Sequence, residues 1–224
     1  FADILPADGY LIVNKGIDRL EELVEGLACS IITFGSDNGA DYSYTDAVYD
    51  ARGCGSYTLL KNGKRCGTVK LGVVGEHNIL NSLSVIALTD LLGIDTATVL
   101  GALSSFQGTD RRFEHKGEIG GIQILDDYAH HPTEITATLK AAANYPHRTL
   151  WCVFQPHTYT RTKAFLQDFA KALSLADKVV LTDIYAAREK NTIGITSMDL
   201  LRELEKLGTE CYYFQHFDEI ENFL

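Results

Sequence analysis

From residue 122 onward the chain alternates short apolar runs with segments of helical spacing, and no other feature constrains the fold as tightly. The runs 122–125, 149–154, 178–181 and 209–214 are short and rich in β-branched, leucine and aromatic residues. Segments 133–143, 161–175 and 198–207 place apolar residues three and four apart, and 218–224 starts a last helix. Strand–helix alternation predicts an α/β fold with a parallel sheet covered by helices. In such sheets ligands gather beyond the carboxyl ends of the strands. The polar residues fall there: residues 126–132 (DDYAHHP) follow the first run, 155–161 (QPHTYTR) the second and 182–190 (TDIYAAREK) the third. Three polar clusters at three successive strand ends are predicted to converge on one site.

The first half reads differently. Residues 10–13 and 30–34 are short apolar strands, and 20–27 carry helical spacing. Runs 57–60 and 64–74 flank Asn62-Gly63, the pair that supplies the positive φ angles of a two-residue hairpin turn. A helix over 78–92 is stopped by Gly93, and a second over 96–106 has Asp95 as its cap. Residues 108–112 (GTDRR) are polar and mark a boundary, giving domains over 1–107 and 108–224.

Net charge is −10, which disfavours non-specific nucleic-acid binding. No apolar run reaches the ~20 residues of a membrane span. The five cysteines are odd in number and form no C-x-x-C, which argues against a disulfide framework or a zinc knuckle and fits a reducing cytosol.

Each candidate site has two readings. Asp126, Asp127, His130 and His131 could hold a metal ion. Alternatively a carboxylate accepts from a ribose while Tyr128 and the histidines orient a polar substrate, or the segment is a charged loop that caps a helix. Asn78 and Asn81 share a helix face and match the edge of adenine, or they fasten the helix start. Arg111-Arg112 suits a phosphate, or is an exposed pair of charges. His157 and Arg161, four apart around a helix start, suit an anion, or decorate the surface.

Taken together these residues resemble the Mur ligase family. Residues 75–81 (GEHNILN) resemble its G-x-H-N-x-x-N element, and 126–134 (DDYAHHPTE) the element typical of the member that adds L-alanine. Residues 155–162 (QPHTYTRT) and 183–190 (DIYAAREK) complete four motifs in order. Similarity is close from residue 75 to the end and weaker over 1–74. The resemblance implies part of a central ATP-binding domain followed by a Rossmann-like C-terminal α/β domain with a mainly parallel sheet.

The resemblance also implies the reaction: ATP phosphorylates the carboxylate of UDP-N-acetylmuramate, the amino group of L-alanine attacks the acyl phosphate, and phosphate leaves. It places Asn78, Asn81 and His77 at adenine, Asp127 at the ribose and Arg112 at the phosphates. Tyr128, His130, His131, His157 and Arg161 then face the amino acid and the muramoyl group, with Arg112, His130 and Arg161 in the catalytic roles. The family's phosphate loop, G-x-x-G-K-[ST], does not occur in these residues, nor do the acidic and histidine ligands of its Mg2+, its UDP-binding domain, or its final strand with a glycine-rich turn. Thr158 stands where some relatives carry arginine. The resemblance therefore implies a chain truncated at both ends and inactive by itself. Its rivals are a murein-recycling ligase that joins an intact tripeptide to the same sugar nucleotide, a nucleotide-binding module without activity, and a metal hydrolase.

Overall fold

The computed structural model describes residues 2–37 and 39–224. The chain divides into two compact units, Phe1–Gly108 and Thr109–Leu224. In the first, β1 (Tyr10–Asn14), α1 (Leu20–Val24), β2 (Ser30–Phe34), β3 (Tyr42–Tyr49), β4 (Cys54–Lys61) and β5 (Lys64–Val74) precede α2 (Glu76–Leu91) and α3 (Thr96–Ser105). The strands lie in the order β1-β2-β3-β4-β5. Pairings β1–β2 and β2–β3 are parallel, and β3–β4 and β4–β5 antiparallel. Asn62 and Gly63 have φ of 49° and 73°, so the β4–β5 turn is the one their chemistry predicts. The side chain of Asp95 accepts from the Thr98 N–H and caps α3.

One face of this sheet buries Tyr57, Leu59, Val69 and Leu71 against Ile79, Leu83 and Ile86 of α2 and Val99 of α3. Each such apolar side chain contributes roughly 1.5–3 kcal/mol by leaving water. Three tyrosine hydroxyls also fasten α2 along its length. Tyr44 donates to Glu76 at 2.7 Å, Tyr57 meets Ser82 at 2.6 Å and Tyr42 donates to Asp90 at 2.8 Å. Ser82 in turn donates to the Ile79 carbonyl, so its oxygen accepts from Tyr57. Burial pushes the Tyr57 hydroxyl up to about 12, keeping it a donor.

Gly72 of β5 runs against the C-terminal end of α3. A Cβ there would lie 2.3 Å from the Phe106 carbonyl oxygen and 2.8 Å from that of Ser104. Both obstacles are backbone, so neither can rotate away. Gly72→Ala is expected to destabilise by about 1–3 kcal/mol, read as a lower urea midpoint. An unchanged midpoint would mean that this packing is not as close as described.

The second unit contains β6 (Glu114–Ile119), β7 (Ile122–Asp126), α4 (Pro132–Ala142), β8 (Trp151–Phe154), α5 (Tyr159–Ala164), α6 (Leu166–Leu173), β9 (Lys178–Leu181), α7 (Ser197–Lys206), β10 (Glu210–Tyr213) and α8 (Phe217–Phe223). Strands β10, β9 and β8 form a parallel sheet in that order. Its core joins Phe154, Val179 and Leu181 to Ile135 and Leu139 of α4, Phe169 and Leu173 of α6, and Leu200 and Leu204 of α7. Cys152 packs on this core, and burial pushes its thiol up to about 12.

In this unit β6 is a strand the sequence did not announce, and two expected elements differ in form. Strand β7 pairs antiparallel with β6 through the turn at Gly120-Gly121, and the two make a separate sheet. A cleft of about 650 Å³, lined by Ile122 and Leu125 on one side and Leu150, Trp151 and Val153 on the other, lies alongside. The single helix expected over 161–175 is two, broken at Phe165 with φ −114° and ψ 24°. There the Phe165 ring sits edge-on to His131 at 4.8 Å and packs on the core.

Candidate functional site

In the second unit the three polar clusters do meet. After β7 the chain turns at Asp127, whose Oδ1 accepts from the Ala129 N–H at 2.8 Å and whose Oδ2 accepts from the Phe113 N–H at 2.7 Å. One carboxylate thus clasps the strand end to residues 111–113, where Arg111 and Phe113 hold positive φ. A carboxylate has about four lone-pair sites, so capacity remains for a ligand hydroxyl. Arg111 and Arg112 lie over the Tyr128 ring at 4.7 and 5.9 Å from its centroid. Arg111 also pairs with Asp126 at 3.5 Å.

From Tyr128 the cluster continues ring to ring. Tyr128 and His130 are 5.3 Å apart, His130 and His157 6.2 Å, and His157 and Tyr185 5.5 Å. The first three residues or loops follow β7 and β8, and Tyr185 follows β9. His130 Nδ1 lies 2.9 Å from the Tyr128 carbonyl, which can only accept, so Nδ1 carries the proton. When the ring carries only that proton, Nε2 is left as an acceptor. Arg161 Nη1 lies 3.2 Å from His157 Nδ1, and a guanidinium can only donate. His157 Nδ1 is therefore the acceptor, and its proton sits on Nε2. The two histidines present opposite chemistry: one acceptor and one donor.

His131 has a structural task. Its Nδ1 accepts from the Thr133 N–H, and Glu134 returns to the N–H groups of His130 and His131, a capping box at the start of α4. Burial pushes the Glu134 carboxyl up, but the two N–H groups it accepts from, together with the Arg112 charge nearby, outweigh it and hold it below its usual range. Asp126, Asp127, His130 and His131 are thus each engaged separately. Among the described residues no group of three or more His, Cys, Asp or Glu side chains is placed to hold a metal ion. The donor set on which a metal hydrolase would depend is not assembled.

In the first unit Asn78 Nδ2 donates to the Val74 carbonyl at 2.8 Å and lies 3.2 Å from His77 Nε2. Asn81 Nδ2 donates to Asn78 Oδ1 at 3.1 Å. The two amides do share a face, and Asn78 is the one that fastens the helix start. Asn81 is exposed. Tyr185, Glu134 and Glu189 lie inside the motifs, yet pattern alone assigned them no task, because a capping or bridging contact depends on which loop lies opposite.

His157, Arg161 and Tyr185 follow the parallel strands β8 and β9, and Tyr128 and His130, which follow β7, meet them there. The family model of the Mur ligase middle domain matches residues 1–89, and that of the Mur ligase glutamate ligase domain matches 111–223. The chain belongs to the Mur ligase family. It is 53% identical over 234 residues to the UDP-N-acetylmuramate–L-alanine ligase of Lachnoclostridium phytofermentans, covering 100% of this chain and 50% of that relative. The solved UDP-N-acetylmuramate-alanine ligase of Thermotoga maritima superposes with a TM-score of 0.73 at 35% identity, over 96% of this chain and 45% of that one. A murein peptide ligase from Psychrobacter arcticus superposes with a TM-score of 0.68 at 25% identity, over 98% and 46%. The chain spans about half the length of the curated relatives it matches. Among the described residues no helix is long and apolar enough to cross a membrane.

Proposed function

We propose that these residues are the middle and C-terminal part of an ATP-dependent ligase that joins L-alanine to UDP-N-acetylmuramate. The observation that carries this reading is the Arg161–His157 pair set beside His130 and Tyr128 at the strand ends. Identity to ligases of that name over the whole of this chain supports the choice of substrates. The muramoyl carboxylate attacks the γ-phosphorus of ATP, giving an acyl phosphate and ADP. The alanine amine, once deprotonated, attacks the acyl carbon, the bond to the phosphate oxygen breaks, and inorganic phosphate leaves. His130 Nε2 is the acceptor for the ammonium proton. Arg161 and the Nε2–H of His157 hold a carboxylate, Arg112 opposes phosphoryl charge, Asp127 takes the ribose, and Tyr128 packs against the substrate.

The magnesium that accompanies ATP in this chemistry neutralises phosphoryl charge. Among the described residues no cluster of three or more His, Cys, Asp or Glu side chains is placed to hold it. Oxygen-18 in the muramoyl carboxylate tests the acyl phosphate in a full-length ligase carrying these residues. The label should appear in the released phosphate. Unlabelled phosphate with product formation would sink this route.

Asn81 and Asn78 serve adenine in this reading, with His77 beside them. Asn81→Ala in the same ligase is expected to raise the KM for ATP about three- to tenfold and to leave the KM for L-alanine unchanged, as the loss of one or two hydrogen bonds implies. Equal changes in both constants would leave Asn81 only a helix-surface role. Asn78→Ala should additionally loosen the helix start, since its amide holds the Val74 carbonyl.

A further inference from the structure

We infer that Glu189 is a positioning residue: from the loop after β9 it caps helix α5 and thereby sets Arg161 and His157. This rests on the reading of Arg161 and His157 as substrate contacts. Helix α5 begins at Tyr159, and its own cap residue, Thr158, makes no side-chain capping bond. Thr158 holds a φ of 65°, an unfavourable conformation for a residue with a Cβ. The helix start is satisfied from outside. Glu189 Oε2 accepts from the Thr160 N–H at 2.9 Å, and Oε1 accepts from the Thr160 hydroxyl at 2.5 Å. Those bonds, chiefly the hydroxyl, hold the Glu189 carboxyl below its usual range, so it is a full anion at neutral pH.

The same two loops are stitched at a second point. Thr158 N–H donates to the Tyr185 carbonyl at 2.9 Å, Tyr185 N–H donates to the Pro156 carbonyl at 2.8 Å, and His157 and Tyr185 form a parallel bridge. His157 is thus held on one side of Thr158 by the bridge. Thr160, the neighbour of Arg161, is held on the other by the Glu189 carboxylate. An anion at a helix start is also favoured by the helix dipole. The segment DIYAAREK therefore contributes a clasp as well as Tyr185: it fixes the fork of Arg161 against His157 Nδ1 before substrate arrives.

The test uses a full-length ligase carrying these residues, with UDP-N-acetylmuramate, L-alanine and ATP as probes. Glu189→Ala should raise the KM of the substrate that Arg161 holds about tenfold, with the KM for ATP within twofold of the parent. Glu189→Gln should recover part of that loss, because its carbonyl still accepts from the Thr160 N–H. Glu189→Ala added to Arg161→Lys should cost little beyond Arg161→Lys alone, since one acts through the other. Three results would overturn the inference. One is a fall in kcat with every KM unchanged, which marks a loss of folded enzyme. Another is effects of the two substitutions that multiply. The third is a wild-type KM in Glu189→Ala while Arg161→Lys is impaired. If Arg161→Lys itself kept every KM, the substrate reading of the site would fail first, and this inference with it.

Discussion

The 224 residues by themselves should release no phosphate from ATP above background when given UDP-N-acetylmuramate and L-alanine. Phosphoryl transfer asks little covalent chemistry of a protein and depends on cradling the β- and γ-phosphates and offsetting their charge. The G-x-x-G-K-[ST] loop that does this in the family does not occur in the sequence. Among the described residues no carboxylate and histidine cluster offers a second route, through a bound metal. Arg112 lies over the Tyr128 ring and supplies a single cation. Losing the cradle should lower turnover by about three orders of magnitude or more, which a phosphate-release assay reads as none. Steady turnover by these residues alone would show that the γ-phosphate is held by groups assigned no such task above.

Arg161→Lys should be the most damaging single conservative change in the second unit. In a full-length ligase carrying these residues we expect kcat/KM for L-alanine or UDP-N-acetylmuramate to fall about 10- to 100-fold, with the KM for ATP little altered. Arg161 makes two kinds of bond at once. It donates to His157 Nδ1 at 3.2 Å, which fixes the tautomer and leaves the Nε2–H as a donor, and its remaining N–H groups can fork onto a carboxylate. Lysine keeps the charge but has no planar fork, so it can serve one partner well and the other poorly. A charged hydrogen bond is worth roughly 1.5–3 kcal/mol, which sets the size of the loss. Wild-type kinetics for every substrate would return Arg161 to the surface-decoration reading. A selective rise in the KM for ATP would move it to the nucleotide.

Features set by local chemistry were readable from the sequence, and those set by distant partners were not. Asn62-Gly63 and Asp95 act through their own backbone neighbours, and both behave as their residue types predict. Strand β9 is buried along nearly its whole length against helices, and β8 and β10 pack on the same core by Phe154, Cys211 and Tyr213, so their apolar runs stood out. Strand β3 was missed although it carries three tyrosines. Asp46 sits there at a φ of 54°, and the pairing with β4 shifts between Thr45 and Val48, which breaks the alternation. Strand β6 (EHKGEI) is polar and interrupted by Gly117, where its pairing also shifts, so it carries almost no pattern. At the site, His130, His157 and Arg161 were legible as chemical types. The capping role among residues 126–131 was one of the readings open in the sequence, and His131 takes it; the clasp made by Glu189 was not legible, because it depends on which loop the fold places opposite.

The most direct measurement of the proposed activity is product analysis. A full-length ligase carrying these residues would be incubated with ATP, UDP-N-acetylmuramate and either L-alanine or an intact murein tripeptide, and the products identified by mass. The account predicts UDP-N-acetylmuramoyl-L-alanine, formed in step with ADP and phosphate, and little product with the tripeptide. Efficient joining of the tripeptide, with L-alanine left unreacted, would contradict it and assign these residues to murein recycling.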